Sequence, residues 1–431
     1  MRMGTLHLMI WHVAGVLTLI GTLAVHAAEP VSWVDAISGG SPSVDARLRY
    51  EYGSSDTAGD ANAFTIRTRL GYGTAPYNGL QAYLEFEDVT SLLSADSYNQ
   101  AGLEPAGTDR TVIADVEGTE VNQATLAYTC PMTGATVKAG RQRIILDNAR
   151  FVGNVGWRQN EQTYDAVTLS TKDMGGLKLS YAYIDSVRRI FGQENGSTPP
   201  GAAANAAKFN SDSHLVNASY KLCSAATAVA YAYLLDLGDG AVGAANSSDT
   251  VGLSCAVKLG DKEGIAWGGD FEYARQTDNS ASPAGVDYEA DYVKVDINAA
   301  SSMVGVGGGF ELLGSDSGSS FRTPLATGHK FNGWADLFLV TPAEGLQDLY
   351  AYASVTCPKG IAPTFTVVYH SFESDVGGID YGQELDLVAV KKFSDRFTMI
   401  AKYADYKAES GADNPRGSDV TRLSLEAGLT F

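Results

Sequence analysis

The sequence has 431 residues, of which 50 are acidic and 31 basic, so its formal net charge is −19 at pH 7. An acidic chain of this kind is an improbable partner for nucleic acid. Beyond residue 28 it contains no apolar run of roughly 18 residues, which excludes a helical membrane span in that part. It is rich in glycine (47) and tyrosine (22) and poor in proline (13), a composition that suits alternating strands with interfacial tyrosines.

The chain opens on a segment typical of a secretory signal peptide. Arg2 precedes an apolar run over residues 8–25, and the small residues Ala27 and Ala28 follow it. We predict that residues 1–28 are a signal peptide and that residues 29–431 form a single outer-membrane β-barrel domain. An uncleaved membrane anchor is the alternative, because the apolar run approaches spanning length.

Segments of alternating polar and apolar residues then follow one another along the chain. Each has about the length that a tilted strand needs to cross a bilayer. The predicted strands are 43–52, 63–73, 80–89, 119–130, 135–143, 161–170, 176–186, 211–222, 226–236, 249–259, 264–275, 287–298, 303–313, 346–357, 362–372, 381–392, 396–406 and 420–431. Short turns and longer polar connections are expected to alternate strictly between them.

This pattern predicts an all-β fold, a transmembrane antiparallel β-barrel of about 18 strands in the bacterial outer membrane. Short turns are expected on the periplasmic side and long loops on the extracellular side. Sixteen strands are the alternative count, because residues 314–346 are ambiguous. A soluble β-sandwich or propeller shares the composition, but the strand lengths argue against it.

The last strand carries the clearest lipid-facing pattern. Leu423, Leu425, Leu429 and the terminal Phe431 share one face, and polar residues occupy the other. We therefore expect outer-membrane lipid as a partner, together with the barrel assembly machinery, which would recognise the strand that ends in Phe431.

Basic side chains occupy the inward face of the first, second and last predicted strands. A charge on the lipid face costs roughly 2–4 kcal/mol at the bilayer midplane, so these side chains are expected in the lumen. Barrel closure brings the last strand beside the first. The predicted basic wall comprises Arg47, Arg49, Arg67, Arg69, Lys402 and Arg422.

Two interpretations of this wall stay open at this point. It favours anionic solutes if the cations are available to them. Alternatively, it is a lattice of arginines and carboxylates that stiffens the barrel. The candidate counter-charges are Glu51, Glu85, Glu87, Glu384, Asp386 and Glu426.

Two polar segments predict loops that fold into the lumen and narrow it. Residues 140–165 contain Arg141, Arg143, Arg150 and Arg158, and residues 329–348 precede a strand. The alternatives are a surface loop for the first segment and an irregular strand bent at a proline for the second. The predicted constriction residues are Phe151, Trp157, Trp334 and Asp336.

Parts of the chain resemble the alginate-export family of outer-membrane channels. The likeness rests on Gly-Arg-Gln-Arg-Ile-Ile-Leu-Asp-Asn from residue 140, on Asn-Val-Gly-Trp-Arg-Gln-Asn-Glu-Gln from residue 154, and on segments 45–51, 115–123 and 329–348. The resemblance implies an 18-stranded barrel whose arginine-rich lumen conducts an anionic polysaccharide outward. Within it, the substrate track would include Arg141, Arg143, Arg150 and Arg158.

We predict a channel for small or anionic hydrophilic solutes, acidic saccharides among them, with no catalytic residues, metal or cofactor. A dedicated exporter of an anionic exopolysaccharide is the alternative function, and a barrel-embedded enzyme or an adhesive barrel is the second. An enzyme of this kind needs a base such as histidine, but His214, His329 and His370 lie in no recognisable catalytic pattern. The spacing of the four cysteines fits no metal motif.

Overall fold

The computed structural model describes residues 31–94, 97–101, 109–192, 207–238, 240–260, 264–357, 360 and 362–431. The predicted signal peptide lies outside these residues. Within them, eighteen antiparallel strands form one sheet that closes on itself, because β1 (Ser41–Ser55) pairs with both β2 (Ala58–Gly73) and β20 (Val420–Thr430). Each barrel strand between β1 and β20 pairs with the barrel strand that precedes it in the chain and with the one that follows it.

The remaining strands of the barrel follow in chain order. They are β3 (Leu80–Ser91), β4 (Gly118–Thr129), β5 (Thr136–Gln142), β6 (Thr163–Ser170), β7 (Leu177–Arg188), β8 (Lys208–Lys221), β9 (Ala226–Leu235), β10 (Ser248–Leu259), β11 (Ala266–Thr277), β12 (Glu289–Ala300), β13 (Val304–Leu313), β16 (Leu346–Val355), β17 (Thr364–Glu373), β18 (Asp380–Lys392) and β19 (Phe397–Ala408). A small hairpin, β14 (Ser315–Asp316) and β15 (Ser319–Ser320), lies between β13 and β16.

The helical elements are short. Within the described residues they include α1 (Trp33–Ser38), α2 (Ala241–Asn246) and a 3₁₀ turn, Gly328–Lys330. Of the helices in the described part of the chain, none has the length and apolar character needed to cross a membrane.

The predicted fold class is confirmed, and each of the eighteen predicted strands overlaps one strand of the barrel. The alternative of sixteen strands is wrong. Residues 314–345 contribute no strand to the barrel, and the interpretation of 329–348 as an irregular bent strand is wrong for all but its last residues, since β16 begins at Leu346.

The strict alternation of short and long connections is wrong at the first hairpin. β1 and β2 are joined by Asp56 and Thr57 alone, and their pairing continues from Tyr52 opposite Asn62 to Ser55 opposite Ala58. The sequence over 53–62 is small and polar, so it resembles a loop. A strand that extends beyond the bilayer keeps its backbone hydrogen bonds without needing an apolar face.

The outer surface of the barrel is an apolar belt. Leu70, Leu425 and Leu429 are exposed. Arg69 and Glu426, which lie next to Leu70 and Leu425 and point to the other face of the strands, are buried. Aromatic side chains are exposed near the short-turn ends of the strands. These rim aromatics are Tyr72, Tyr128, Trp267, Phe365, Phe393 and Phe431. An apolar band flanked by aromatic residues is the exterior of an outer-membrane barrel, so the predicted lipid environment and outer-membrane location are confirmed.

Candidate functional site

Two loops enter the barrel and contact its inner wall. The first inserted loop, residues 143–162, joins β5 to β6, and the second inserted loop, residues 314–345, joins β13 to β16. Arg47 of β1 donates from Nη1 to the carbonyl of Gly156 at 3.0 Å. Arg49 donates from Nη1 to the carbonyl of Trp157 at 2.7 Å. Inward-facing arginines of the wall therefore hold the backbone of the first inserted loop.

The second inserted loop is held by carboxyl groups of β18, which lies three strands from β1 around the barrel. The backbone N–H of Trp334 donates to Asp386 Oδ2 at 3.1 Å, and that of Ala335 donates to Glu384 Oε1 at 2.7 Å. Gly333 has φ of +84°, and a Cβ at this position would lie 2.4 Å from a Glu384 oxygen. A glycine is needed here, because the turn combines a left-handed backbone with close approach to the carboxylate.

The two loops also pair with each other, so they form one insert. The N–H of Gly153 donates to the carbonyl of Leu325 at 2.8 Å, and Val155 N–H donates to Thr327 Oγ1 at 3.1 Å. Phe151 packs with Tyr292 and Phe321, with ring centroids 5.1 and 5.7 Å away. This residue, predicted to lie in the constriction, is part of the buried aromatic cluster that joins the insert to the wall.

The centre of the insert is a stack of aromatic rings and cations. The Trp157 and His329 rings are stacked, with centroids 3.2 Å apart and planes 8° apart. The guanidinium groups of Arg49 and Arg158 lie 4.3 and 4.0 Å from the Trp157 centroid. Lys402 lies 5.2 Å from that centroid. Such contacts between cations and aromatic faces are attractive, and more so where water is excluded.

His329 links the insert to a lysine of the wall. Its Nδ1 lies 2.8 Å from Asp336 Oδ1, and its Nε2 lies 3.0 Å from Lys402 Nζ. Burial lowers the pKa of His329 to about 3, so the imidazole is neutral at pH 7. An ammonium can only donate, so Nε2 accepts from Lys402 and Nδ1–H donates to Asp336. The chain Asp336, His329, Lys402 therefore fixes the position of the Lys402 ammonium.

Each of the nine arginines of the predicted track has a carboxylate oxygen within 4 Å. The pairs are Arg47 with Glu426, Arg49 with Glu51, Arg67 with Asp45, Arg69 with Glu87, Arg141 with Asp165, Arg143 with Glu161, Arg150 with Glu311, Arg158 with Asp336, and Arg422 with Glu51. This arrangement corresponds to the second interpretation of the basic wall, in which arginines and carboxylates form a lattice of ion pairs.

Glu51 is the hub of this lattice. Its carboxylate lies 2.6 Å from Arg49, 3.0 Å from Arg158 and 3.1 Å from Arg422. All four side chains are buried or nearly so. Asp115, from the connection between β3 and β4, adds contacts of 3.6 Å to Arg49 and 3.8 Å to Arg158. Four segments distant in the sequence thus meet at one charge cluster.

A second charge cluster surrounds Glu161. Arg143 Nε contacts Glu161 Oε1 at 2.5 Å, Asn154 donates to Oε2 at 2.7 Å, and Arg69 lies 3.6 Å away. Burial alone would raise the pKa of Glu161, but the arginines and amide donors lower it to about 2. The carboxylate is therefore ionised at neutral pH.

A cavity lies between the second inserted loop and the wall. Three amines line it, from Lys294, Lys330 and Lys402, together with the rings of Trp334 and Tyr350. The other lining residues are Glu311, His329, Phe331, Asn332, Asp348, Tyr352, Thr366, Val368, His370 and Val388. The track arginines do not line this cavity.

Each lysine of the cavity is held in place by a specific neighbour. Lys294 Nζ lies 3.6 Å from Asp270, and Lys330 Nζ donates to the carbonyl of Asn148 at 2.9 Å. Burial lowers the pKa of Lys330 to about 8, so this group is mostly protonated at pH 7. The cavity therefore combines ammonium groups with aromatic faces, an arrangement that suits a small anion.

Sequence reasoning found only one of these amines, Lys402. Lys294 was not predicted, although it lies between Val293 and Val295 on β12 and the same alternation indicates an inward side chain. Lys330 lies next to His329, in the segment 329–348 that is predicted to fold into the lumen. Of the predicted constriction residues, Trp334 lines the cavity, whereas Trp157 and Asp336 contact the other members of the stack.

A closed 18-stranded barrel with an apolar outer belt and inserted loops has the fold of the Occ/Opd outer-membrane porins. The chain is similar in structure to OccK9 (OpdG) of Pseudomonas aeruginosa, with a TM-score of 0.70 and 16% identity over 92% of this chain and 100% of that one. It is similar also to OccAB2 of Acinetobacter baumannii (TM-score 0.69, 14% identity, 92% and 99% covered). A further similar structure is OpdK of Pseudomonas aeruginosa with vanillate (TM-score 0.66, 14% identity, 90% and 98% covered).

No family model matches the sequence, and no curated protein matches it. The similar structures support a porin-like barrel but give no support to membership in the alginate-export family.

Proposed function

We propose that this protein is an outer-membrane channel for small anionic solutes and that the lysine-lined cavity is its binding site. The observation that carries the proposal is the division of the basic residues. The arginines of the predicted track are paired with carboxylates and do not line the cavity, whereas three lysines do line it. A solute carboxylate entering this cavity meets ammonium groups and aromatic faces together.

The role of the arginine lattice in this proposal is to hold the constriction. Arg47 and Arg49 bind the first inserted loop through its carbonyls, and Arg158 binds Glu51 of the wall. Ion pairs that are already satisfied in a buried site offer little further attraction to a passing anion. Selectivity is then set by the lysines, and the lattice sets the width of the passage.

Acidic monosaccharides and aromatic carboxylates are the solute classes that fit this cavity. A carboxylate is recognised by Lys330 and Lys402, and a ring by Trp334. The similar channel OpdK was solved with vanillate, an aromatic carboxylate, so vanillate is a suitable first probe here.

The test is single-channel recording in planar bilayers under a salt gradient. We expect an anion-selective reversal potential, with vanillate and galacturonate interrupting the current at lower concentrations than glucose does. The double variant K330Q/K402Q should lose this selectivity. The matched control is Lys392→Gln, which removes one exposed ammonium from the end of β18 and should leave it unchanged. A cation-selective wild-type pore would overturn the proposal.

A dedicated exporter of an anionic polysaccharide remains the alternative. It requires the insert to move aside as a unit, because the two loops are bonded to each other and to the barrel wall at β1 and β18. Passage of oligouronates longer than a disaccharide through reconstituted protein would favour export. Their exclusion, with passage of the monomer, would favour the small-solute channel.

The proposal includes no enzymatic step. Among the described residues, no group of three or more histidine, cysteine, aspartate or glutamate side chains is arranged to hold a metal ion. His370 contacts Asp348 at 2.9 Å on the cavity wall, and His214 contacts Tyr181 at 2.8 Å on the barrel. We infer a structural role for His214, and alanine at this position should leave the channel current intact.

A further inference from the structure

A short helix lies against the outside of the barrel at its short-turn end. α1 directly precedes β1, and Tyr72 of β2 donates its hydroxyl to the carbonyl of Ile37 in the helix. Ala75, in the turn that follows β2, donates its N–H to the carbonyl of Ala36 at 2.9 Å. Tyr72 shares the outward face of β2 with Leu70. The helix therefore rests against the lipid-facing side of the wall, outside the lumen.

The face of α1 turned away from the wall is apolar. Ala36, on the inner side, is fully buried, whereas the exposed fractions of Trp33, Val34 and Ile37 are 50%, 73% and 56%. At 3.6 residues per turn these three side chains lie within an arc of about 100°, and Asp35 projects from the opposite side. Ser32 caps the helix by accepting from the Asp35 N–H at 3.1 Å, which fixes this orientation.

The apolar face of α1 adjoins aromatic side chains at the short-turn end of the barrel. The Trp33 ring meets the Tyr77 ring edge-on, with centroids 4.9 Å apart and planes 63° apart. Phe431 lies at the same end of the barrel, since its backbone pairs with Val44 near the start of β1. Tryptophan and tyrosine are enriched at the level of the lipid headgroups, because the apolar part of each ring contacts lipid while its N–H or O–H group contacts water.

We propose that α1 is an interfacial anchor whose partner is the periplasmic leaflet of the outer membrane. Trp33, Val34 and Ile37 insert beside the rim aromatics and extend the apolar belt of the barrel, while Asp35 remains in water. The affinity of such a segment for lipid increases with the apolar area that it buries. This anchor does not depend on which solute the channel conducts.

Quenching of tryptophan fluorescence by brominated lipid tests the anchor directly. Protein purified from membranes is reconstituted in phosphatidylcholine vesicles with and without brominated acyl chains. The emission of Trp33 is the difference between wild type and W33F. Trp267 on the outer face, isolated with W267F, is the positive control, and Trp157 in the insert, isolated with W157F, is the negative control.

We expect brominated lipid to quench Trp33 as strongly as Trp267 and to leave Trp157 unquenched. Quenching of Trp33 by aqueous iodide and not by brominated lipid would show that α1 lies in water and would overturn the proposal. Protection from both quenchers would overturn it too, because it would mean that protein covers the helix. The heat-dependent shift of gel mobility establishes that each variant is a folded barrel, and I37S, which keeps Trp33, should weaken its quenching by lipid.

Discussion

The imidazole of His329 lies flat on the indole of Trp157, 3.2 Å between ring centroids, so a side chain of the second inserted loop closes the stack begun by the first. The two residues are 172 positions apart in the chain. The cationic groups of Arg49, Arg158 and Lys402 lie near the Trp157 ring. Arg49 and Lys402 belong to the wall, and Arg158 belongs to the insert. The narrow part of the lumen is therefore built from contacts between distant segments.

Removal of the stack should widen the passage. Trp157→Ala deletes the ring that contacts His329 and two guanidinium groups, and we expect a larger single-channel conductance, measured in planar bilayers. Trp267→Ala removes an exposed ring of the same size from the lipid face and serves as the matched control. An unchanged conductance in Trp157→Ala would mean that ions bypass the stack.

Anion selectivity should fall as the pH rises from 7 to 9. Burial lowers the pKa of Lys330 to about 8, so its positive charge is present below that pH and is lost above it. The reversal potential under a salt gradient, recorded at several pH values, measures this loss. Lys330→Arg keeps its charge throughout this range and should flatten the pH dependence. A wild-type selectivity that does not change up to pH 9 contradicts the assignment of Lys330.

Neutralising the hub of the lattice should destabilise the barrel. Glu51→Gln leaves Arg49, Arg158 and Arg422 without their shared carboxylate, and breaking a buried charge cluster costs roughly 3–5 kcal/mol. Thermal unfolding in detergent measures the loss. Glu289→Gln breaks an exposed pair with Arg275, for which we expect less than about 1 kcal/mol. Equal losses in the two variants would argue against a structural lattice.

Loosening the second inserted loop should make the open channel noisier. Asp386→Asn keeps the size of the side chain but replaces one of its two oxygens with an NH₂ group, so the Trp334 N–H, now 3.1 Å from Asp386 Oδ2, has one acceptor fewer. We expect more frequent current fluctuations at constant voltage. Asp395→Asn, at an almost fully exposed turn, is the control and should show the wild-type trace.

Assembly should depend on the last residue of the chain. Phe431 is exposed on the outer rim and pairs with β1 through its backbone, so its deletion removes an interfacial aromatic without touching the lumen. We expect less folded barrel in the outer membrane and an unchanged conductance of the barrels that form. Phe393→Ala, at another rim position, controls for the loss of an exposed ring. Normal assembly of the deletion variant would show that the barrel assembly machinery does not need Phe431 for recognition.

The sequence by itself determined the barrel. Alternation along β20 and β1 separates Leu425 and Leu48, which face lipid, from Glu426 and Arg49, which face inward, because a lipid-exposed charge is costly whatever its neighbours are. The number of strands and the two inserted segments follow from such local patterns. The first hairpin was misjudged because a strand outside the bilayer has no apolar face to reveal it.

Only the tertiary structure decided what the charges do. Arg49 meets Asp115 and Trp157, and Arg150 meets Glu311, across separations that no local pattern encodes. The same closure that pairs these arginines leaves the amines of Lys294, Lys330 and Lys402 on the cavity wall. An inward charge can be inferred from alternation alone, but its availability to a solute depends on which carboxylate folding brings within a few ångströms of it.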